Sequence, residues 1–403
     1  MMDRLALPFC VLLAATLLVP AGVHPATPPT AGPALYSVRA VALTGRPAPA
    51  GGTFTEFSDP ALNAQGDLAF AALSSREDAH YALYLRANEH TTTLAVSGQA
   101  APSGGAFRVF NDVVLSDRDT VVFLARTTDR VAQQGLFLAR GRTIVPVVAT
   151  GQPAPGGGAF TDFANPTINA HDVVAFVGRM GAGGREGIFT STEGSIIPLV
   201  LTGQPAPTGG VFQAFLDGSP AQNDRGEIAF VAAMAPSGAF GIFVLLGGRP
   251  APVVTTDDEA PVGGAFTEFG SLMLTNAGTV GFVGRTAHSA VREGLYVTGR
   301  AALVSLSQQG QAVGGEVLTA IANGAMNGRE SVVFELATPD PIPRAIFLAT
   351  RAGVRIAVRA GDAAPSGRRF IAFGTPALND RGQIAFVAET DDLQHGIYLL
   401  TPK

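Results

Sequence analysis

Short apolar runs alternate with turn-forming residues along the chain at a fixed interval. One phrase marks the interval best: Asn379-Asp380-Arg381-Gly382-Gln383-Ile384-Ala385-Phe386, with earlier copies at Asn223 to Phe230 and Asn63 to Phe70. Its last residue recurs at Phe70, Phe123, Phe176, Phe230, Phe282, Phe334 and Phe386, in steps of 53, 53, 54, 52, 52 and 52 residues. A period of that size is one supersecondary unit that buries its apolar faces by stacking on its neighbours.

The apolar pattern inside each unit predicts four strands. The first carries two rings three residues apart, as in Phe54/Phe57 and Phe160/Phe163. The sixth unit lacks that pair and has Val317 in place of the first ring. An Asn-x-x-Gly turn follows. Asn begins it at Asn63, Asn169, Asn223, Asn327 and Asn379, and Ser116 and Thr275 stand in with a side-chain oxygen able to cap the turn. Gly at its fourth position gives way to Asp119, Asp172 and Glu330 in three units. The second strand is apolar on both faces, as a sheet sandwiched between neighbours requires. The third carries a ring at Tyr84, Phe137, Phe189, Phe243, Tyr296, Phe347 and Tyr398. The fourth is apolar and partly β-branched, and runs into a Gly-x-Pro-Ala-Pro loop such as Gly151 to Pro155. Pro and Gly there end the strand, and beyond the first segment no helical period persists.

Four short strands repeated seven times predict an all-β, seven-bladed β-propeller with four-stranded blades. The ends of the repeat predict how the ring closes. The last unit stops after its third strand, Gly396 to Leu400, while the repeat opens with an unpartnered fourth-type strand, Tyr36 to Leu43. That strand is expected to complete the seventh blade, which removes two exposed sheet edges.

Composition agrees. Hydrophobic residues make up 47% of the chain and charged residues 15%, enough apolar material for a large core. The 49 Gly and 28 Pro fall at periodic turn positions. A formal net charge of −5 with interspersed signs gives no basic footprint for nucleic acid. The first residues read as a signal peptide: Arg4, then an uncharged apolar run from Leu5 to Val23, with cleavage expected after Ala21 or Ala26. The domain plan is therefore a leader at 1–26, a linker at 27–35 and a propeller at 36–403. The only cysteine, Cys10, lies in the leader, so the cleaved chain carries none. A secreted, periplasmic or cell-surface location is expected.

The Asn-x-x-Gly-x-x-Ala-Phe phrase, recurring in register over nearly the whole mature chain, resembles bacterial exported proteins with tandem NxxGxxAF repeats, a group with varied surface anchors. The resemblance implies export and surface association. It supplies no catalytic residues, and the C-terminus, Leu400-Thr401-Pro402-Lys403, shows no sorting signal.

Strand direction puts the Asn-x-x-Gly corners and the third-to-fourth turns on one face. The Pro-Ala-Pro loops and second-to-third loops share the other, which varies more between units and collects charge. Function concentrates on loops held by a rigid scaffold. Arg126, Arg179 and Arg285 each stand three residues after the repeated Phe and could bind an acidic ligand such as a uronate or a partner's carboxylate. Asp391, Asp392 and His395 form the densest ionisable cluster, suited to acid–base work or to a cation. Asp78 and His288 add to the loop-face charge, and Glu335 replaces an apolar residue after Phe334. No zinc-protease, nucleophile-elbow, phosphate-loop or dinucleotide motif occurs.

The reading is an exported, non-enzymatic binding module that presents charged loops on one propeller face to a surface polymer or secreted protein. No catalytic residue, cofactor, metal, nucleic acid or membrane insertion after cleavage is expected, and the chain is expected to be a monomer. The alternative is a polysaccharide-active hydrolase or lyase using acids and arginines at the channel mouth.

Overall fold

The computed structural model describes residues 35–403 except 78–79, 182, 217, 288–289, 300–301 and 337–343. The leader, nearly all of the linker, Cys10, Asp78 and His288 lie outside the described residues. The chain is a seven-bladed β-propeller of antiparallel blades. Blade 3 shows the plan, with strands Phe160–Ile168, Val174–Met180, Arg185–Thr192 and Ser195–Leu201 in sequence order from the inside outwards. The first strand of every blade touches that of the next all the way round, so the seven first strands wall the central axis.

The seventh blade closes as the terminal pattern requires. Tyr36–Leu43 pairs antiparallel with His395–Pro402, in a register that places Ser37 opposite Thr401 and Leu43 opposite Gly396. Residues from the two ends of the repeat thus share one sheet, and Tyr36 is buried with Tyr398 and Leu400 in a single cluster.

Inside six of the blades the two rings of the first strand pack edge-on against those of the second and third. In blade 3, Phe160 meets Phe189 at 5.1 Å and 77°, and Phe176 stacks on Phe189 at 5.7 Å and 21°. A glycine two residues before the third-strand ring makes room for it: a Cβ on Gly187 would come within 2.8 Å of Phe189 and 2.5 Å of Leu201. Blade 6 keeps only the Phe334–Phe347 stack, at 5.5 Å. There the structure corrects the sequence assignment. Val317 is 53% exposed, whereas Leu318 is fully buried and Ile321 pairs with Leu336 as Phe269 pairs with Gly284. Leu318 and Ile321 therefore replace the two rings.

The Asn-x-x-Gly corners join the blades as well as turning the chain. Each Asn Oδ1 accepts two backbone N–H groups of its own turn; Asn223, for example, accepts from Arg225 and Glu227 at 3.1 Å each. Its Nδ2 reaches across the seam to the next corner's carbonyl. Asn223 donates to Thr275 O at 3.0 Å, Asn327 to Asn379 O at 3.1 Å and Asn379 to Asn63 O at 2.9 Å. Asn63 and Asn169 do the same toward Ser116 and Asn223. The two seams that begin with Ser116 and Thr275 lack the amide, and there an acid in the next blade takes over. Ser116 Oγ donates to Asp172 Oδ1 at 3.3 Å, and Thr279 Oγ1 donates to Glu330 Oε1 at 2.9 Å. Asp172 and Glu330 hold φ of 59°, a left-handed backbone that suits Gly, which four other corners have at this place. Every seam on this face is thus bridged by a buried or half-buried hydrogen bond.

Candidate functional site

Hydrogen bonds confirm the two faces. Asn88 N, in a third-to-fourth turn, donates to Asp67 of the neighbouring corner, and Ala106 N, after a Pro-containing loop, donates to Thr128 of a second-to-third loop. On this second face Arg179 and Arg285 have the same surroundings. Arg179 pairs with Glu186 at 2.8 Å and Asp162 at 3.5 Å; Arg285 pairs with Glu293 at 3.2 Å and Glu268 at 2.9 Å. In both, one acid comes from the first strand and one from the third. The third-strand acid also reaches the next blade: Glu186 accepts from Phe215 N at 3.2 Å, and Glu293 accepts from Ile321 N. In blade 2 the acid positions are Val109 and Gln134, so Arg126 stands exposed without an ion pair among the described residues. The three arginines belong to blades 2, 3 and 5, and two of them are committed to acids of their own blade.

Asp391, Asp392 and His395 do share one turn of blade 7. Asp391 N donates to Arg369 O at 2.8 Å, and its side chain is exposed. Asp392 accepts from Thr390 Oγ1 at 2.7 Å and lies 3.4 Å from Arg368 Nε; the Thr390 hydrogen bond leads in holding its carboxyl below the usual range. His395 N donates to Thr44 Oγ1 at 3.2 Å, which ties this turn to the closing strand, and its Nε2 stands 3.9 Å from Glu389.

The channel wall holds a second set of polar groups that sequence reasoning passed over. Two residues after the second ring of the first strand lie Asp59, Asp112, Asn165, Ser271, Asn323 and Thr375. Asp112, Asn165, Ser271 and Asn323 sit in bulges with φ of 46°, 51°, 46° and 44°. A bulge re-aims a side chain out of the pleat, and left-handed backbone in non-glycine residues concentrates at functional positions. The periodic polarity at that place was the available signal. Asp59 crosses the closing seam to accept from Thr375 N at 3.1 Å and stands against Gly374, where a Cβ would come within 2.5 Å of its Oδ1. It is open to water yet walled in by protein, and burial raises its carboxyl above the usual range despite the Thr375 hydrogen bonds. Asp112 is raised too, by burial and then by the Asp162 charge. Glu335 is 6% exposed and accepts from Asn323 Nδ2 at 2.5 Å; burial chiefly, with the Asp59 charge adding, pushes it up to about 7. Where the channel opens among the corners, Asn63, Asp117, Asn276, Asn327 and Asp380 line a cavity of about 180 Å³. Among the described residues no group of three or more His, Cys, Asp or Glu side chains is arranged to hold a metal ion, and no helix is long and apolar enough to cross a membrane.

Residues 33–335 and 183–398 each match the model of a family of unknown function, DUF7453. The chain belongs to that family. No curated protein sequence matches it. Among solved structures it is similar to a puromycin-hydrolyzing peptidase of Mycobacterium tuberculosis, at 15% identity and a TM-score of 0.51 over 85% of this chain and 50% of that one. It is also similar to the β-propeller domain of the Trilobed protease from Pyrococcus furiosus, at 9% identity and a TM-score of 0.53 over 86% and 95% of the two chains. A puromycin hydrolase S511A mutant matches at 12% identity and a TM-score of 0.53, over 85% of this chain and 52% of that one. The chain spans about half the length of the puromycin hydrolases. At these identities the likeness shows the propeller fold alone, and a propeller hosts unrelated functions.

Proposed function

We propose that the protein is an exported, non-enzymatic binding module whose loop face docks a carboxylate-bearing surface polymer or secreted protein. The observation that supports this reading is the ordered display of guanidinium groups. Arg179 and Arg285 are held between acids from two strands, and Arg126 occupies the equivalent place with no acid beside it. Arg126 is the group left to form a charge-assisted pair with a carboxylate. Export and a monomeric state belong to the same proposal.

The test is a binding screen of the purified protein against uronate-bearing polysaccharides, neutral glycans and secreted proteins. A carboxylate-bearing ligand should bind, and Arg126→Gln should weaken it by about tenfold, the equivalent of one charge-assisted hydrogen bond. Binding that ignores the substitution, or is equal for neutral glycans, would refute the loop-face assignment. One observation favours a second reading, a polysaccharide hydrolase or lyase: Glu335, raised to about 7 beside the channel, has the affinity for a proton that a general acid needs near neutral pH. New reducing ends or unsaturated products released from the same polysaccharides, and lost in Glu335→Gln, would replace the binding reading with this one.

A further inference from the structure

On the corner face, opposite the loops, Arg39, Asp67, Arg86, Glu89, Asp119 and Arg381 line a cavity of about 530 Å³. It sits over the closure of the ring: Arg39 lies on the closing strand, Arg381 on blade 7, Asp67, Arg86 and Glu89 on blade 1, and Asp119 on blade 2. The volume falls in the range of small-molecule sites.

Some of its charges are already matched. Arg39 and Arg86 both donate to the single Glu89 carboxylate, the latter at 2.8 Å, which cancels one of their two charges. The others are not. Arg381 Nη1 donates to the Gln65 carbonyl at 2.8 Å and meets no carboxylate among the described residues. Asp67 accepts from Asn88 N at 3.2 Å and Asp119 from Asn63 Nδ2 at 3.0 Å; neither has a cationic partner among the described residues. Both carboxyl groups line this one cavity, and burial followed by the Asp67 charge raises Asp119 above its usual range. Like charges so placed are relieved by a proton or by a cation between them.

The repeat does not require this arrangement. Asp172 and Glu330 serve seams where the asparagine bridge is missing, but Asp119 lies across from Asn63, which already bridges to Ser116 O. The place of Arg86 is taken in the other blades by Ala139, Ser191, Leu245, Thr298, Ala349 and Leu400. Unmatched charge of both signs in one polar cavity calls for a complement of both signs. We propose that this cavity binds a zwitterion, a free α-amino acid or a short peptide, with its ammonium group between Asp67 and Asp119 and its carboxylate on Arg381. Gln65, which positions Arg381, is two residues from Asp67. Arg381 and Asp119 stand on blades 7 and 2, on either side of blade 1, which favours a dipeptide, whose charged ends lie farther apart than those of a single residue.

The inference lies on the face away from Arg126 and stands or falls separately from the loop-face reading. It is tested by titrating the purified protein, by calorimetry or ligand-observed NMR, with alanine, Ala-Ala, alaninamide and N-acetylalanine. At least one of the two zwitterions should bind, and the better of them at least tenfold more tightly than either analogue with a single charge. The comparison of alanine with Ala-Ala identifies the source. Arg381→Gln should abolish the advantage over alaninamide, and Asp119→Asn the advantage over N-acetylalanine. Circular dichroism confirms that each variant is folded, and Asp67→Asn replaces Asp119→Asn if that variant is not. Equal binding of a single-charge analogue would overturn the proposal, as would no binding of any of the four at about 20 mM.

Discussion

Asn223 gives the clearest test of how the corners hold the ring. Its side chain is 3% exposed, caps two N–H groups of its own turn and donates to Thr275 O on the next blade. Serine, which blade 2 uses at the equivalent Ser116, retains a cap but crosses its seam only because Asp172 is there to accept, and blade 5 has Gly278 at that place. Asn223→Ser removes one of two donors to a buried carbonyl, which keeps the N–H of Gly278, so it should cost about 0.5–1.5 kcal/mol. Asn223→Ala also loses the cap and should cost about 1–3 kcal/mol. Asn223→Asp discriminates best. Aspartate caps turns as well as asparagine does, but it has no N–H for Thr275 O and would place a carboxylate beside Glu227, whose Oε2 lies 2.6 Å from Asn223 Nδ2. Denaturant unfolding followed by circular dichroism measures all three. If the asparagine serves only its own turn, Asn223→Asp made in a Glu227→Gln background, where that repulsion is gone, keeps the stability of the background to within about 0.5 kcal/mol, and that result would refute the cross-seam account. The expected result is a loss at least as large as that of serine.

Three further outcomes follow from single residues. The Tyr296 hydroxyl is buried without a hydrogen-bond partner among the described residues, and Phe fills its place in four blades; Tyr296→Phe should therefore leave stability unchanged or raise it by about 1 kcal/mol, and a clear loss would reveal a partner for the hydroxyl. Burial pushes the Glu335 carboxyl up to about 7, from about 4.5 for an ordinary glutamate, so the folded state holds the proton more tightly than the unfolded one. Stability should then fall as pH rises from about 4.5 to 7 and level off above that, by on the order of 2–4 kcal/mol, and Glu335→Gln should flatten this slope; an unchanged slope in denaturant titrations would contradict the assignment. Gly187→Ala should cost about 1–3 kcal/mol by driving a Cβ into Leu201 and Phe189, measured as a lowered unfolding midpoint, and a neutral result would show that those side chains repack freely.

The blade count, the strand order and the closure were legible because each rests on a pattern that recurs in register. Tyr36–Leu43 looked like a fourth strand without a blade, and the last blade lacked one. The sixth blade was harder to align. Its loop into the first strand is shorter, Gly310 N bonding to Leu318 O where Gly151 N bonds to Phe160 O, and the neighbouring Val317 is as apolar as Leu318. The corner asparagines were visible, but only half of their role was. Their partners across the seam are backbone carbonyls 52 or more residues away in sequence, and a carbonyl leaves no side-chain signature. In sequence, Asp172 and Glu330 only replace a turn glycine; their role lies in the seams they bridge. The arginine triplet was likewise readable as a repeat, whereas the acids that engage Arg179 and Arg285 come from the first and third strands and are not repeated in blade 2.

The account depends most on the closing strand, because the seventh blade, the seam crossed by Asp59 and the cavity holding Arg39 all assume that it is paired. Hydrogen exchange of the purified protein, resolved at the amides of Tyr36–Leu43, tests this directly. The pairing predicts that the amides bonded to the strand His395–Pro402 exchange as slowly as those of the interior strand Ile384–Thr390. Exchange at the rate of an unstructured peptide along the whole of Tyr36–Leu43 would contradict it.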